Sequence, residues 1–272
     1  MDINLYCLFL VYIIKVDKGK IMRAILISAG KGTRLYPLTK NTPKSLLEVG
    51  EGLTLLEAQL HSLQEAGIVD VTIIVGYRAE QIEAKLHKYK KDFNINTVYN
   101  PFYDVSNNLL SVWMARHLMQ DEFITINGDD MFTADVIINL MKSKNNITMV
   151  IDEKDHYDED DMKIIHHDGL VKEVSKQIDP AKANGESVGI IKFSGHGPQI
   201  YVNILEEMVR HSENKNSFYL KAIQEIINKG YLVHFSKCKP GDWGELDFHP
   251  DLMLIREYVT QTNLVDKILN KK

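Results

Sequence analysis

Lys31, Arg34, Lys40 and Lys44 crowd a short stretch that also holds Gly30 and Gly32. This is chemistry for an anion. Glycines let backbone N–H groups approach a phosphate closely. Arginine grips phosphate oxygens bidentately, and lysine adds a point charge. The run Ser28-Ala29-Gly30-Lys31-Gly32-Thr33-Arg34-Leu35 is not a dinucleotide-binding fingerprint, because Leu35 stands where the third small residue belongs. It is not a P-loop either, because Gly-Lys-Ser/Thr is missing at the required spacing. A tight turn with solvated basic residues is the alternative. Here a strand, two glycines and four basic residues coincide, which favours phosphate binding.

Carboxylates gather at two distant places. Asn127-Gly128-Asp129-Asp130 ends an apolar run, so a carboxylate there projects into the crevice beyond a sheet. Magnesium takes hard oxygen ligands, often one or two carboxylates with substrate phosphates; an acidic turn is the plainer reading. Glu245 and Asp247 alternate along a strand and can face one side. The densest acidic run, Asp152–Asp161 (DEKDHYDEDD), lacks the loop glycine of an EF-hand and suits a solvated hairpin. His166 and His167 alternate faces and cannot share a site. No Ser/His/Asp set can be assembled.

Alternating elements must position these groups. Arg23–Ser28 and Val71–Val75 are short apolar runs that fit buried parallel strands. Asn96–Tyr99 and Glu122–Asn127 continue the strand series. Leu55–Ala66, Arg78–Tyr89 and Asn107–Leu118 carry helical patterns between them. Strand following helix in this order implies a doubly wound α/β sheet with ligands at the strand C-termini. The second half turns to short strands at Thr148–Ile151, Met162–His166, Leu170–Val174 and Ser187–Phe193. Helices at Ile200–His211 and Phe218–Lys229, a strand at Leu232–Ser236 and a helix at Pro250–Thr260 complete the chain.

Composition sets the outer limits. The chain has 272 residues, 44% hydrophobic and 25% charged, which excludes a disordered or collagen-like protein. Its formal charge of −5 argues against broad nucleic-acid binding. Cys7 and Cys238 form no CxxC pair and suit a reducing cytoplasm. Ile3–Ile14 is apolar except for Asn4, yet far short of the roughly 20 residues that span a bilayer. It also lacks a signal peptide's basic start and cleavage site. Residues 1–21 are expected to be a dispensable leader, with one domain over residues 22–272 and no stable membrane insertion.

Ala24–Thr39 (AILISAGKGTRLYPLT), followed by Thr42–Leu47 (TPKSLL), resembles the signature of the nucleotide-sugar pyrophosphorylase family of nucleotidyltransferases. The resemblance runs from Met22 to the final helix. It implies a single Rossmann-like, doubly wound mixed sheet of the nucleotide-diphospho-sugar transferase type. It implies that Ala29, Gly30, Lys31, Gly32, Thr33 and Arg34 hold the nucleotide phosphates, with Gly76, Asn107, Asn108 and Ser111 completing the nucleotide site. Arg34 and Lys44 take the catalytic positions. The family's GD pair falls on Gly128-Asp129, and its W-x-E/D-I/L-D segment on Trp243–Asp247. Asp129 and Asp247 are therefore the implied ligands of a Mg2+ cofactor.

Asn100-Pro101 with Asn107-Asn108 and Ser111 resembles the phosphocholine cytidylyltransferase branch, so CTP is the expected donor. Asn107-Asn108 also suit a helix cap. The implied acceptor is a small phosphorylated or phosphonate compound of the phosphocholine, aminoethylphosphonate, phosphoglutamine or inositol-phosphate type. Asp161, Lys163, Lys176, Glu186, Gly189 and Glu245 would line its side of the site. Met162 stands near the position of a tryptophan in the choline-binding member, and without an aromatic box choline is disfavoured. The expected reaction transfers CMP and releases pyrophosphate, for decoration of cell-surface glycans or lipids. A hexose-1-phosphate uridylyl- or thymidylyltransferase and a non-catalytic nucleotide-binding regulatory protein are the alternatives. The oligomeric state is left open.

Overall fold

The structure, a computed structural model, describes residues 22–262 and 264–269. The leader lies outside the described residues. The first half alternates strand and helix: β1 (Arg23–Ser28), the hairpin β2 (Glu48–Gly50) and β3 (Leu53–Thr54), α1 (Leu55–Glu65), β4 (Asp70–Val75), α2 (Ala79–Leu86), β5 (Asn94–Tyr99), α3 (Asn108–Met114), β6 (Phe123–Asn127), β7 (Asp130–Phe132) and α4 (Ala134–Met141). The second half holds β8 (Ile147–Asp152), β9 (Lys163–His167), β10 (Leu170–Ser175), β11 (Gly185–Phe193), α5 (Gly197–Val209), α6 (Leu220–Asn228), β12 (His234–Lys237), β13 (Trp243–Glu245), α7 (His249–Gln261) and α8 (Leu264–Leu269).

Nine strands form one mixed sheet in the order β5-β4-β1-β6-β11-β8-β12-β10-β9. The pairs β5–β4, β4–β1 and β1–β6 are parallel, as the strand–helix alternation requires. Beyond β6 the sheet changes sense. β11 follows the β9–β10 hairpin rather than a helical crossover, so it returns antiparallel to both β6 and β8. Alternate residues of β1 feed opposite faces: Ile25 enters one core with Phe123, Phe193 and Tyr201, and Leu26 enters the other with Leu56, Ile82 and Ile137. A third cluster packs Leu35, Val49 and Leu53 against Leu246, Leu252 and Ile255.

Two local devices tie separate elements together. Thr54 and Glu57 form a capping box at the start of α1. Glu57 is fully buried, and it also accepts from Lys88, from Lys85 at 2.9 Å and from the Tyr89 hydroxyl at 2.8 Å, tying α1 to α2. The second device is the pairing of β13 with β7, which sets Glu245 opposite Asp130. The Asp129 carbonyl accepts from Leu246 N at 3.0 Å, extending this clamp. Neither β7 nor α4 stands out in the sequence, and the strand read around Glu245 and Asp247 is β13, which ends at Glu245. The expected helix over 107–118 stops at Met114 and tightens into a 3₁₀ turn over Arg116–Leu118.

Candidate active site

The C-terminal ends of β1 and β6 open into a cleft of about 340 Å³. Its roof is the loop after β1. Gly32 sits at φ 61°, where a side chain is strained, and an added Cβ would press on Lys44 and Thr39 at 3.2 Å. The Thr39 hydroxyl donates to the Gly32 carbonyl at 2.6 Å and fixes the turn. Ala29, Gly30, Gly32, Thr33 and Arg34 line the cleft. Lys31 turns away and pairs with Asp104.

The cleft floor is an interleaved charge network. Lys44 Nζ donates to Asp129 Oδ2 at 2.8 Å and to Asp247 Oδ1 at 2.6 Å. Arg34 reaches Asp247 Oδ2 at 2.6 Å, with its guanidinium 5.3 Å from the Phe248 ring centroid. Burial acts to lower the Lys44 pKa, but attraction to Asp129 and Asp247 outweighs it and holds the ammonium above its ordinary range. Burial, reinforced by Asp129 and Asp247, pushes the Glu245 carboxyl up to about 8. Asp130, fully buried beside them, is pushed well up by burial first and by Asp129 and Glu245 next. One oxygen from each of Asp129, Asp130 and Glu245 lies within 4.8 Å of the others.

Residues 23–247 match a family model described as Nucleotidyl transferase. The chain belongs to this family. It is 38% identical over 109 residues to a choline-phosphate cytidylyltransferase of Streptococcus pneumoniae; that match covers 40% of this chain and 45% of the relative. It is 25% identical over 258 residues to a CTP:phosphoglutamine cytidylyltransferase of Campylobacter jejuni, covering 85% of this chain and 98% of the relative. The solved structure of CTP:phosphocholine cytidylyltransferase from Streptococcus pneumoniae superposes with a TM-score of 0.71 at 25% identity, covering 88% of this chain and 99% of that one. The fold is that of the nucleotide-diphospho-sugar transferases.

The remaining expected positions fall unevenly in this family site. Asn107, Asn108 and Ser111 line the cleft. The Asn107 carbonyl oxygen Oδ1 accepts from Asn108 N at 2.7 Å, while Asn108 Oδ1 accepts from Tyr219 N at 2.8 Å and pins the start of α6. Ser111 accepts from buried Asn100 at 2.9 Å. Gly76 is not on the cleft wall; it packs under the roof loop beside Tyr77, whose N–H meets the Ala29 carbonyl at 3.0 Å.

Of the residues expected to face the acceptor, Lys176, Glu186 and Glu245 line the cleft. The Lys176 ammonium lies 5.1 Å from the Phe218 ring centroid. Glu186 and Asp161 both meet Lys154 Nζ at 2.7 Å, and burial carries Glu186 up to about 7 against the pull of that lysine. Asp161 itself is set back from the cleft, with Asp160 and Met162 on the wall.

Two expectations need correcting. Lys163 is fully buried, and its ammonium donates to the carbonyls of Asp158 at 2.9 Å, Glu159 at 3.0 Å and Asp161 at 3.4 Å. Its charge is committed to the loop before β9, so it is a structural residue and not a cleft cation. Gly189 is buried against Asn127, where an added Cβ would come within 2.1 Å of the amide nitrogen, so its role is close packing of β11 on β6.

Sequence reasoning missed Lys154, Tyr219 and Gln59, and took Asp130 only as a neighbour of Asp129. Gln59 Nε2 donates to the carbonyls of Asn127 at 3.0 Å and Asp130 at 2.7 Å, fixing the turn that carries Asp129. Its signal was a polar residue between Leu56 and Leu60 on a buried helix face. The single Tyr219 O–H is shared between two acceptors, Asn127 Oδ1 at 3.0 Å and the Gly189 carbonyl at 3.1 Å.

Proposed function

We propose that this protein is a Mg2+-dependent cytidylyltransferase that transfers CMP from CTP to a small phosphorylated or phosphonate acceptor. The observation that carries the reading is Lys44 bridging Asp129 and Asp247 beneath the glycine loop. Cationic groups of the kind that bind phosphate lie there against carboxylates of the type that hold a metal. The cytidylyl- donor is supported by the named relatives and by Asn107, Asn108 and Ser111 on the cleft wall.

Asp129 and Asp247 would hold the magnesium. They fit it: both offer hard carboxylate oxygens, and a single cationic centre, the Lys44 ammonium, already lies within 2.8 Å of an oxygen from each. When bound, the ion supplies charge neutralisation at the reacting phosphate. Loop amides from Gly30 to Arg34, with Arg34 and Lys44, bind the triphosphate and receive the charge that develops on the leaving pyrophosphate. Lys176 draws in the acceptor's anionic end. Glu186 and Glu245 meet its distal group, for which a primary amine suits the acidic surroundings.

In the reaction an acceptor phosphate or phosphonate oxygen attacks the α-phosphorus. The new O–P bond forms as the bond to the bridging β-phosphate oxygen breaks, and pyrophosphate leaves. The attacking oxygen is already anionic, so no general base is required. Catalysis is then mainly the positioning of like-charged reactants. The product, an activated phosphorylated headgroup, suits decoration of cell-surface glycans or lipids. A cytoplasmic site is consistent with the free thiol of Cys238, and no described helix is long and apolar enough to cross a membrane. A panel of CTP, UTP and dTTP against phosphocholine, phosphoethanolamine, aminoethylphosphonate and glucose 1-phosphate tests the reading. CTP-dependent pyrophosphate release supports it; release only with UTP or dTTP and the hexose phosphate refutes it.

A further inference from the structure

Lys154 sits behind the acceptor wall and not on it. Glu186, Asp160 and Met162 line the cleft, whereas Lys154 lines an outer hollow with His156, Tyr157 and His166. Its ammonium nevertheless reaches Glu186 Oε2 and Asp161 Oδ2, each at 2.7 Å. The two carboxylate side chains are only 8% and 13% exposed, so water and salt screen the shared cation little. Asp161 Oδ2 also accepts from Asp158 N at 2.7 Å. The lysine thus ties β11, which carries Glu186, to the loop over residues 153–162.

The other charges around Glu186 are placed differently. Asp152 of β8 and Lys163 of β9 are its partners across the ladder, and the Lys163 ammonium is committed to three loop carbonyls. Lys176 and Glu245 belong to the cleft wall. The Tyr157 hydroxyl accepts from Lys154 N at 3.2 Å. Among the described residues, Lys154 is the cation in ion-pair contact with Glu186. Without it, burial and the Asp161 charge would act together to keep Glu186 protonated.

We propose that Lys154 is a positioning residue for the acceptor: it clamps Glu186 to the 153–162 loop and keeps that carboxylate anionic for an acceptor's ammonium. This rests on the reading of Glu186 as an acceptor-binding group.

The test is a pH titration of the Glu186 carboxyl by 13C NMR in the full, ligand-free chain, its signal identified by loss in Glu186→Gln. A midpoint of about 7 is expected in wild type. Lys154→Met should raise it by about 1–3 pH units, and Lys154→Arg should restore it. Circular dichroism checks the fold. Should Lys154→Met misfold, Asp161→Asn reads the same three groups with opposite sign: it leaves Lys154 to Glu186 alone and should lower the midpoint. A midpoint unmoved by Lys154→Met, or unmoved or raised by Asp161→Asn, overturns the assignment. With CTP and phosphoethanolamine, Lys154→Met should raise acceptor KM about fivefold or more at pH 7, as Glu186 goes from about half to about a tenth ionised. The gap should narrow toward pH 9, with KM for CTP unchanged. An acceptor KM raised equally at every pH, or not at all, also overturns it. If no acceptor turns over, the cytidylyltransferase reading falls, and the ligand-free midpoint still decides the coupling of Lys154 to Glu186.

Discussion

Lys44→Met removes one positive charge from the centre of the network while keeping most of the side chain's apolar stem. The ammonium makes charge-assisted hydrogen bonds of 2.8 and 2.6 Å to Asp129 and Asp247, with only 15% of the side chain exposed. Such bonds contribute about 1.5–3 kcal/mol each to a folded state. Part of that is lost to substrate binding and part to turnover. A donor aimed at charge that grows in the transition state is worth about 2.7–4 kcal/mol, or about 10²–10³ in kcat. Lys44→Met should therefore lower kcat by that factor and raise KM for CTP by less, under about tenfold. It should also lower the melting temperature in chelator, because Asp129 and Asp247 then face each other with Arg34 as the nearby cation, and added Mg2+ should recover part of the loss. Coupled pyrophosphate release and thermal melts read both effects. A variant that folds and turns over within about threefold of wild type, against the much larger loss expected for such a donor, would remove Lys44 from the catalytic machinery.

Three further predictions follow from groups outside the phosphate loop. Burial alone would raise the Glu57 pKa, but hydrogen bonds from Lys88, Lys85 and Thr54 outweigh it and hold the group at about 2, against an ordinary 4.5. A depressed folded-state pKa stabilises the fold above the unfolded value, so about 2–3 kcal/mol should be lost as pH falls from about 4.5 to 2. Acid melts of wild type and Glu57→Gln should differ in that window, the variant being flatter; parallel curves would count against it. Lys163→Met should lower stability by about 3 kcal/mol or more, leaving three carbonyls without their donor, whereas Lys176→Met should raise acceptor KM with an unchanged melting temperature. Equal effects on acceptor KM from both would restore Lys163 to the site. Glu186, carried up to about 7 by burial, should bind an ammonium-bearing acceptor better in its ionised form. Acceptor KM should thus fall between pH 6 and pH 8 in wild type and flatten in Glu186→Gln; identical profiles would remove Glu186 from acceptor recognition.

The parts of this molecule that were legible in sequence are those whose signal is contiguous. β1 and its glycine loop form one unbroken run, so Ala29–Arg34 could be read together. Lys44, Asp129 and Asp247 each sit in a short motif at the end of an element. The parallel half of the sheet follows from strand and helix alternating. What stayed hidden depends on residues far apart in the chain. β7 is three residues long, too short for periodicity, and although a strand is legible around Glu245, only the pairing of β13 with β7 sets Asp130 opposite Glu245. Lys163 and Gly189 were misread for the same reason. Sequence shows a lysine near a strand end, but which way its ammonium turns is decided by three carbonyls of the preceding loop. Gly189 looks like a strand-end glycine open to ligand, but the Asn127 side chain takes that space.

Cytidylyl transfer in this cleft can be followed directly. The most direct measurement follows labelled CTP with Mg2+ and a set of phosphorylated amines and alcohols, reading pyrophosphate and the new CDP-linked or CMP-phosphonate product together. Stoichiometric release of pyrophosphate and product is expected with CTP, and its loss in Asp247→Asn. Turnover restricted to UTP or dTTP with hexose 1-phosphates, or nucleotide binding with no pyrophosphate released for any acceptor, would contradict it.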